Sequence, residues 1–454
     1  MTKKQMLKKI PLYLIAVIFI IFNYTCFYQF LGVVSKDATT IVPFCIIVPF
    51  FIYLLIFKRT IDYRSLTVAM VLICNVLLST VLAKDMAAEI YMISASIFIA
   101  FVVSNLLERQ QFIDCYVNVI LAFSIASIIT TYIILPLDVE NGLGIFPLVR
   151  VGETYYFNMY TTLVRQLFGV VRNSGIGREP GVFQIYLLFA IYFVIEHQKE
   201  SKANIYKAVF LIIVMLSTFS AICYITAPVC VLMLMRKYIK NPKTFVKTVF
   251  ITAAAVLVFA VFVISNESIM NEFSRTANKW DGDAQGNSFD VRYFGVFSNV
   301  ELYLEKPLFG HGLITSWLEV IARSGYDSVT GTTLIGFAAF GTVFGFLIHY
   351  VLYKMCRVKT YLVTFVWFFT ILFSTLSQNL IVSHVFWILL FSGFMKESTK
   401  PELQKPVETE PTEQEQPDGE SENENESEEI PLEMQQALRI DIFDNLEDVS
   451  KTVE

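Results

Sequence analysis

About twelve long apolar stretches recur over the first 395 residues, and they leave this chain few possible folds. A helix needs ~20 apolar residues to cross ~30 Å of hydrocarbon, and in lipid only a helix or a closed barrel satisfies its own backbone polar groups. The stretches cover 11–30, 40–57, 65–83, 86–107, 113–136, 180–196, 205–219, 220–236, 245–264, 332–353, 360–376 and 380–395. Hydrophobic residues make up 55% of the chain and charged ones 17%, with 41 Phe and 22 Tyr. A soluble core of this size does not hide that much apolar surface. The expectation is an all-α polytopic membrane protein with about twelve transmembrane helices. A secreted disulfide scaffold, a cytosolic enzyme and a nucleic-acid binder are excluded, the last because no basic patch lies on a soluble domain. The pair within 205–236 is long for one crossing and short for two. Thr218-Phe219-Ser220-Ala221 offers a tight reversal, and one long tilted helix is the alternative.

The formal charge of −5 sums two unlike parts: 1–395 holds 30 Lys and Arg against 21 Asp and Glu, and 396–454 holds 5 against 19. A basic membrane body, 1–396, is followed by an acidic tail, 397–454. Residues 397–429 have the Glu, Pro, Gln, Ser and Asn composition of a disordered segment, while 430–449 regain apolar spacing, read either as a solvated tail or as a segment that folds on a partner. Within the body, cations gather in alternate connections: the four lysines at 3, 4, 8 and 9, then Lys58 with Arg59 and Arg64, Arg109, Lys199 with Lys202, Arg236 with Lys237, and Lys354 with Arg357 and Lys359. The positive-inside bias puts those connections and both termini in the cytoplasm. The seven cysteines lie in or beside apolar stretches and read as small apolar fillers; no Cys or His pair has metal-ligand spacing, so neither metal nor cofactor is expected.

Two connections break the rhythm, 137–179 and 265–331, and the alternation makes both extracytoplasmic. Long loops on a compact membrane body are where function concentrates. Against the bias, the first holds Arg150, Arg165, Arg172 and Arg178, and the second Arg275, Lys279, Arg292, Lys306 and Arg323. Anionic ligands would offset them, since guanidinium matches phosphate with a bidentate fork; pairing with Glu153, Glu179, Asp290 or Glu301 is the plainer reading. Two local sequences stand out. Arg172-Asn-Ser-Gly-Ile-Gly-Arg-Glu179-Pro180-Gly181 has glycines for close approach and Pro180 for a first helical turn, whose positive end favours an anion. Asp290-Val-Arg292 leads into 289–305, a candidate interfacial helix, and then Lys306-Pro307-Leu-Phe-Gly310-His311-Gly312, a turn carrying an imidazole.

Together, Arg172-x-x-Gly175-x-x-x-Glu179-Pro180, Leu-Ser-Thr-Phe-Ser220, and Arg292 followed by Pro307-Leu-Phe-Gly310-His311-Gly312 resemble the O-antigen and capsular-polysaccharide polymerases (Wzy), kin to the O-antigen ligases. The recognisable motifs lie within about 170–315. Where the ligases resemble a His-Asn pattern ahead of a late span, this chain reads Asp327-Ser-Val-Thr-Gly-Thr-Thr333, which favours polymerase over ligase; Ala221 stands where many relatives have Arg or Lys.

The resemblance implies an enzyme of the bacterial cytoplasmic membrane that joins oligosaccharide repeat units carried on undecaprenyl pyrophosphate at the outer face. A chain-length regulator and a flippase of the same pathway are the implied partners. Arg165, Arg172, Arg178 and Arg292 are the candidate pyrophosphate ligands. Glu179 is the candidate general base, or else caps its helix or pairs with Arg178; His311 is the second candidate base, or else packs within its glycine turn. Gln378, Asn379 and His384, at the end of the last hairpin, are polar residues at membrane depth and candidates to reach the same cavity. A ligase and a lipid-linked oligosaccharide flippase are the alternatives.

Overall fold

The computed structural model describes residues 3–57, 61–141, 144, 148–151, 154–158, 162–167, 170–239, 288–324 and 331–397. Residues 1–398 pack as one unit and 399–454 belong to a second. The expected span 245–264, Arg275, Lys279 and the acidic tail from 398 lie outside the described residues.

The body is mostly helical. It opens with α1 (Lys3–Ile21), α2 (Phe27–Phe30), α3 (Ala38–Phe57), α4 (Tyr63–Ala83), α5 (Ala88–Leu106) and α6 (Arg109–Ile129). α6 continues through one π-helical turn, Thr130–Ile134, into α7 (Leu135–Asn141). Strands β1 (Leu148–Val151), β2 (Thr154–Asn158), β3 (Leu163–Leu167) and β4 (Val170–Gly175) precede α8 (Pro180–His197), α9 (Lys202–Leu216) and α10 (Cys223–Tyr238). The rest are α11 (Ser288–Glu305), α12 (Leu313–Ser324), α13 (Thr332–Cys356), α14 (Tyr361–Thr375) and α15 (His384–Phe391).

Among the described residues six helices are long and apolar enough to cross a membrane: α3, α4, α5, the continuous run Arg109–Asp138, α8 and α13. Shorter apolar helices cover Leu12–Ile21, Tyr361–Thr375 and His384–Phe394. The 205–236 stretch is two helices, broken at the expected reversal, where Phe219 takes a left-handed φ of 45°. Two spans of similar length differ in what covers them: 17% of the apolar window of α3 is buried against 89% for α8. α3 therefore offers its surface to lipid, while α8, apolar on every side, sits among α6, α9, α10, α14 and β4.

The first long connection, expected only as a long loop, has regular structure. It forms a four-stranded antiparallel sheet in the order β1-β2-β3-β4, with Arg165 directly across the ladder from Arg172. The sheet is pinned to the ends of α6 and α9: Asn173 Nδ2 donates to Ser127 Oγ at 3.0 Å and Ser217 Oγ at 3.1 Å, and the Thr130 and Thr162 hydroxyls meet at 2.9 Å.

α13 is interrupted at Gly341, whose φ of 79° and ψ of −168° are not helical. The break releases the Ala338 and Ala339 carbonyls, which accept from the His311 and Gly312 amides at 2.9 and 3.0 Å. Thr342 in turn donates its amide and hydroxyl to the Pro307 carbonyl, both at 2.7 Å. A Cβ at Gly310 would strike the Ala339 carbonyl and one at Gly341 the Leu308 carbonyl, so both glycines are required by close approach as well as by positive φ.

Candidate functional site

The site is built where β4 runs into α8. Residues 176–178 are stitched to the turn after α1: Phe27 donates its amide to Ile176 O at 3.2 Å, Arg178 to Thr25 O at 2.9 Å, and Cys26 bridges Gly177. The glycines of the motif are sites of contact. Gly175, at φ 49°, leaves no room for a Cβ against the Phe183 ring, and a Cβ on Gly177 would lie 2.9 Å from the Phe183 amide nitrogen. Gly181 faces the Gln378 side-chain amide, so the last hairpin does reach this helix start. Pro180 occupies the first turn of α8, where its missing N–H costs nothing.

Arg172 donates Nη2 to the Phe219 carbonyl at 2.8 Å and Nε to Thr218 O at 3.3 Å, and so holds the α9–α10 reversal against the strand. Arg178 lies with its guanidinium carbon 5.6 Å from the Tyr24 ring centroid, a cation–π arrangement, and its buried Nε makes no hydrogen bond. Glu179 is the N-cap residue of α8 by backbone, its carbonyl accepting from Val182 at 3.1 Å and Phe183 at 3.3 Å. Its half-buried carboxylate makes no capping bond and has no ion pair among the described residues. Neither structural alternative for Glu179, capping through its side chain or pairing with Arg178, is met.

Behind this pair lies a buried polar group that no local motif announced. Asn23 Nδ2 donates to Tyr186 Oη at 2.7 Å and Thr25 Oγ1 at 2.8 Å; the Thr25 and Tyr186 hydroxyls are 2.5 Å apart, with Ser383 Oγ at 3.4 Å from Tyr186. His384 is bound to the Phe19 carbonyl at 2.7 Å. Within this group the buried Asn23 Oδ1 makes no hydrogen bond, and an incoming polar ligand is one way to satisfy it. The sequence signal was faint: Asn23 and Thr25 interrupt an otherwise apolar run.

The other candidates are held differently. Arg165 lies in β3 and Arg292 in α11, and their side chains lie outside the described residues. His311 is buried against the broken α13, with Nε2 at 3.0 Å from the Leu302 carbonyl and 3.6 Å from a Glu305 carboxylate oxygen. A carbonyl only accepts, so Nε2 carries the proton. Burial pushes the imidazole below its ordinary value of 6.5, opposed by the Leu302 carbonyl. No contact joins His311 to Glu179 among the described residues. Arg323, one of the second-loop cations, is neutralised by Glu305 at 2.9 Å, Glu319 at 3.5 Å and Glu301 at 3.8 Å. Among the described residues no group of three or more His, Cys, Asp or Glu is placed to hold a metal ion.

The fold and this site define a helical membrane protein with adjacent Arg178 and Glu179 side chains, unpaired among the described residues, at the N-terminus of its most buried long helix. No protein-family model matches the chain, and no curated protein matches it.

Proposed function

We propose that the chain is a membrane glycosyltransferase that polymerises undecaprenyl-pyrophosphate-linked oligosaccharide repeat units. In this reading it works at the outer face of a bacterial cytoplasmic membrane, with about twelve crossings, both termini cytoplasmic, and 137–179 and 265–331 outside. The observation that carries it is the adjacency of Arg178 and Glu179 at the start of α8: a cation whose Nε makes no hydrogen bond beside a carboxylate with no capping bond and no ion pair among the described residues. The motif resemblance over 172–180 and 292–312 supplies the substrate class.

The sugar hydroxyl of one lipid-linked repeat unit attacks the anomeric carbon of the chain on the other lipid. The hydroxyl proton passes to Glu179 as the new C–O bond forms, and the bond to pyrophosphate breaks with its electron pair leaving on the phosphate. Arg178, with Arg165, Arg172 and Arg292, stabilises that leaving group, aided by the positive end of α8. Arg172 also fixes the shape of the loop through the Thr218 and Phe219 carbonyls. His311 is assigned to the turn that packs on α13, with catalysis through its imidazole as the lesser role.

Glycan analysis of a deletion strain tests the reading. Lipid-linked single repeat units at the outer leaflet are expected; full-length unattached chains would instead mark a ligase, and precursor held at the inner leaflet a flippase. Arg178→Ala, expressed at the normal level, is expected to shorten and deplete the polymer. Unchanged polymer in that variant would remove Arg178 from the site.

A further inference from the structure

The other end of α8 lies roughly 27 Å along the helix axis, at 1.5 Å per residue, from Pro180. There a cavity of about 750 Å³ opens between the ends of α6, α8, α10, α13 and α14. Ligand pockets fall in the range of ~300–1,000 Å³. Five basic side chains line this one, Arg109, Arg236, Lys354, Arg357 and Lys359, against two carboxylates, Glu196 and Glu397. Glu196 is already spent: it accepts from Arg236 at 2.9 and 3.1 Å and from Trp367 Nε1 at 2.9 Å. The remaining four cations face one carboxylate.

Two further observations point to a ligand. Arg109 is 9% exposed, donates Nη2 to the Met355 carbonyl at 2.8 Å, and lies 3.3 Å from His197 Nε2; its Nε is buried with no hydrogen-bond partner. Its carboxylate partner, Glu397, is 4.0 Å away and exposed, so much of the cost of burying this guanidinium is left for an anion in the cavity to offset. Second, α14 begins at the cavity: Thr360, Tyr361, Val363 and Thr364 line it, and the Thr360 side chain makes no capping bond. The first-turn amides of a helix have no partner within it and carry its positive end. The positive-inside bias accounts for cations in these connections. It does not require cations of three separate connections to converge on one cavity, nor to bury one of them.

We propose that this cavity binds a phosphate-bearing anion, at a site separate from the Arg178-Glu179 loop and independent of the activity proposed there. Arg109 and the α14 amides form its floor, and Arg357 and Lys359, both exposed, form its rim. The phosphate belongs either to a soluble molecule or to an anionic lipid headgroup, and the experiment separates the two.

The purified full chain in detergent is titrated with inorganic pyrophosphate by calorimetry. In parallel, lipid retained after transfer from phosphatidylglycerol vesicles is counted by native mass spectrometry. Arg357→Gln with Lys359→Gln is compared with Lys199→Gln with Lys202→Gln, exposed cations of the α8–α9 connection outside the cavity. Saturable pyrophosphate binding that weakens about tenfold or more in the first variant only supports a soluble phosphate ligand. Lipid retention lost in the first variant only supports a headgroup. The proposal is overturned if wild type binds neither, or if the control variant weakens binding as much as the cavity variant.

Discussion

Two glutamates bracket the same buried helix, and they are treated in opposite ways. Glu196, at the end of α8, is saturated: Arg236 holds both of its oxygens and Trp367 donates to one of them. Glu179, at the start, makes no capping bond and no ion pair among the described residues, although Arg178 adjoins it in sequence. A carboxylate brought out of water normally carries partners that offset its desolvation. Where the fold supplies them, the residue anchors the structure. Where it withholds them, the group keeps its lone pairs for something that is not part of the chain.

That contrast is open to direct attack. Glu179→Gln is expected to lower polymer formation by about 10²-fold or more, while the unfolding midpoint in detergent stays at the wild-type value. A variant that polymerises normally, or that loses stability instead, makes the two ends alike. Gly175→Val forces a β-branched residue to a left-handed φ against the Phe183 ring and should cost about 3 kcal/mol of stability, read from thermal unfolding. Glu196→Gln should cost about 2 kcal/mol, because it strips the charge partner from Arg236, and leave polymer yield per folded molecule unchanged. Tyr186→Phe removes the hydroxyl shared by Asn23 and Thr25 and should cost about 1 kcal/mol. The smallest effect is at His311. Its folded value lies below 6.5, so the neutral form is the one the fold prefers. Stability from this group is constant above about pH 6.5 and declines as pH falls from there through the lowered folded value, a slope that His311→Gln should flatten.

Much of the helical framework was legible in the chain. The apolar runs at 40–57, 65–83, 86–107, 113–136, 180–196 and 332–353 coincide with the six long helices, because burial in lipid or protein demands continuous apolarity over that length. Pro180 and the reversal at Phe219 were also readable, since both act locally. The sheet was not. Val149-Arg150-Val151 alternates as a strand does, but Leu163-Val164-Arg165-Gln166 does not, and with only Gly152 and Gly169 as punctuation the period-two signal is too short to stand out. The break at Gly341 lay inside an apolar run where one glycine among several carries no distinguishing mark. Within the site, Arg178, Glu179 and the tight glycines could be found from spacing. Asn23, Thr25 and Tyr186 could not, because their proximity is created by helices far apart in sequence. The basic cavity was hidden for the same reason, since its cations come from three connections distant in sequence.

The interrupted helix α13 bears on the order in which the molecule is made. Its two released carbonyls are answered by His311 and Gly312, and Ser79 Oγ adds a third bond, 2.7 Å from Ala339 O. All three donors precede Gly341 in the chain, so a ribosome delivers the partners before the gap that needs them. A circular permutant that places 332–356 ahead of 307–312 would send the same helix into lipid with those acceptors bare. Its insertion yield should fall even though every contact of the finished protein is still encoded.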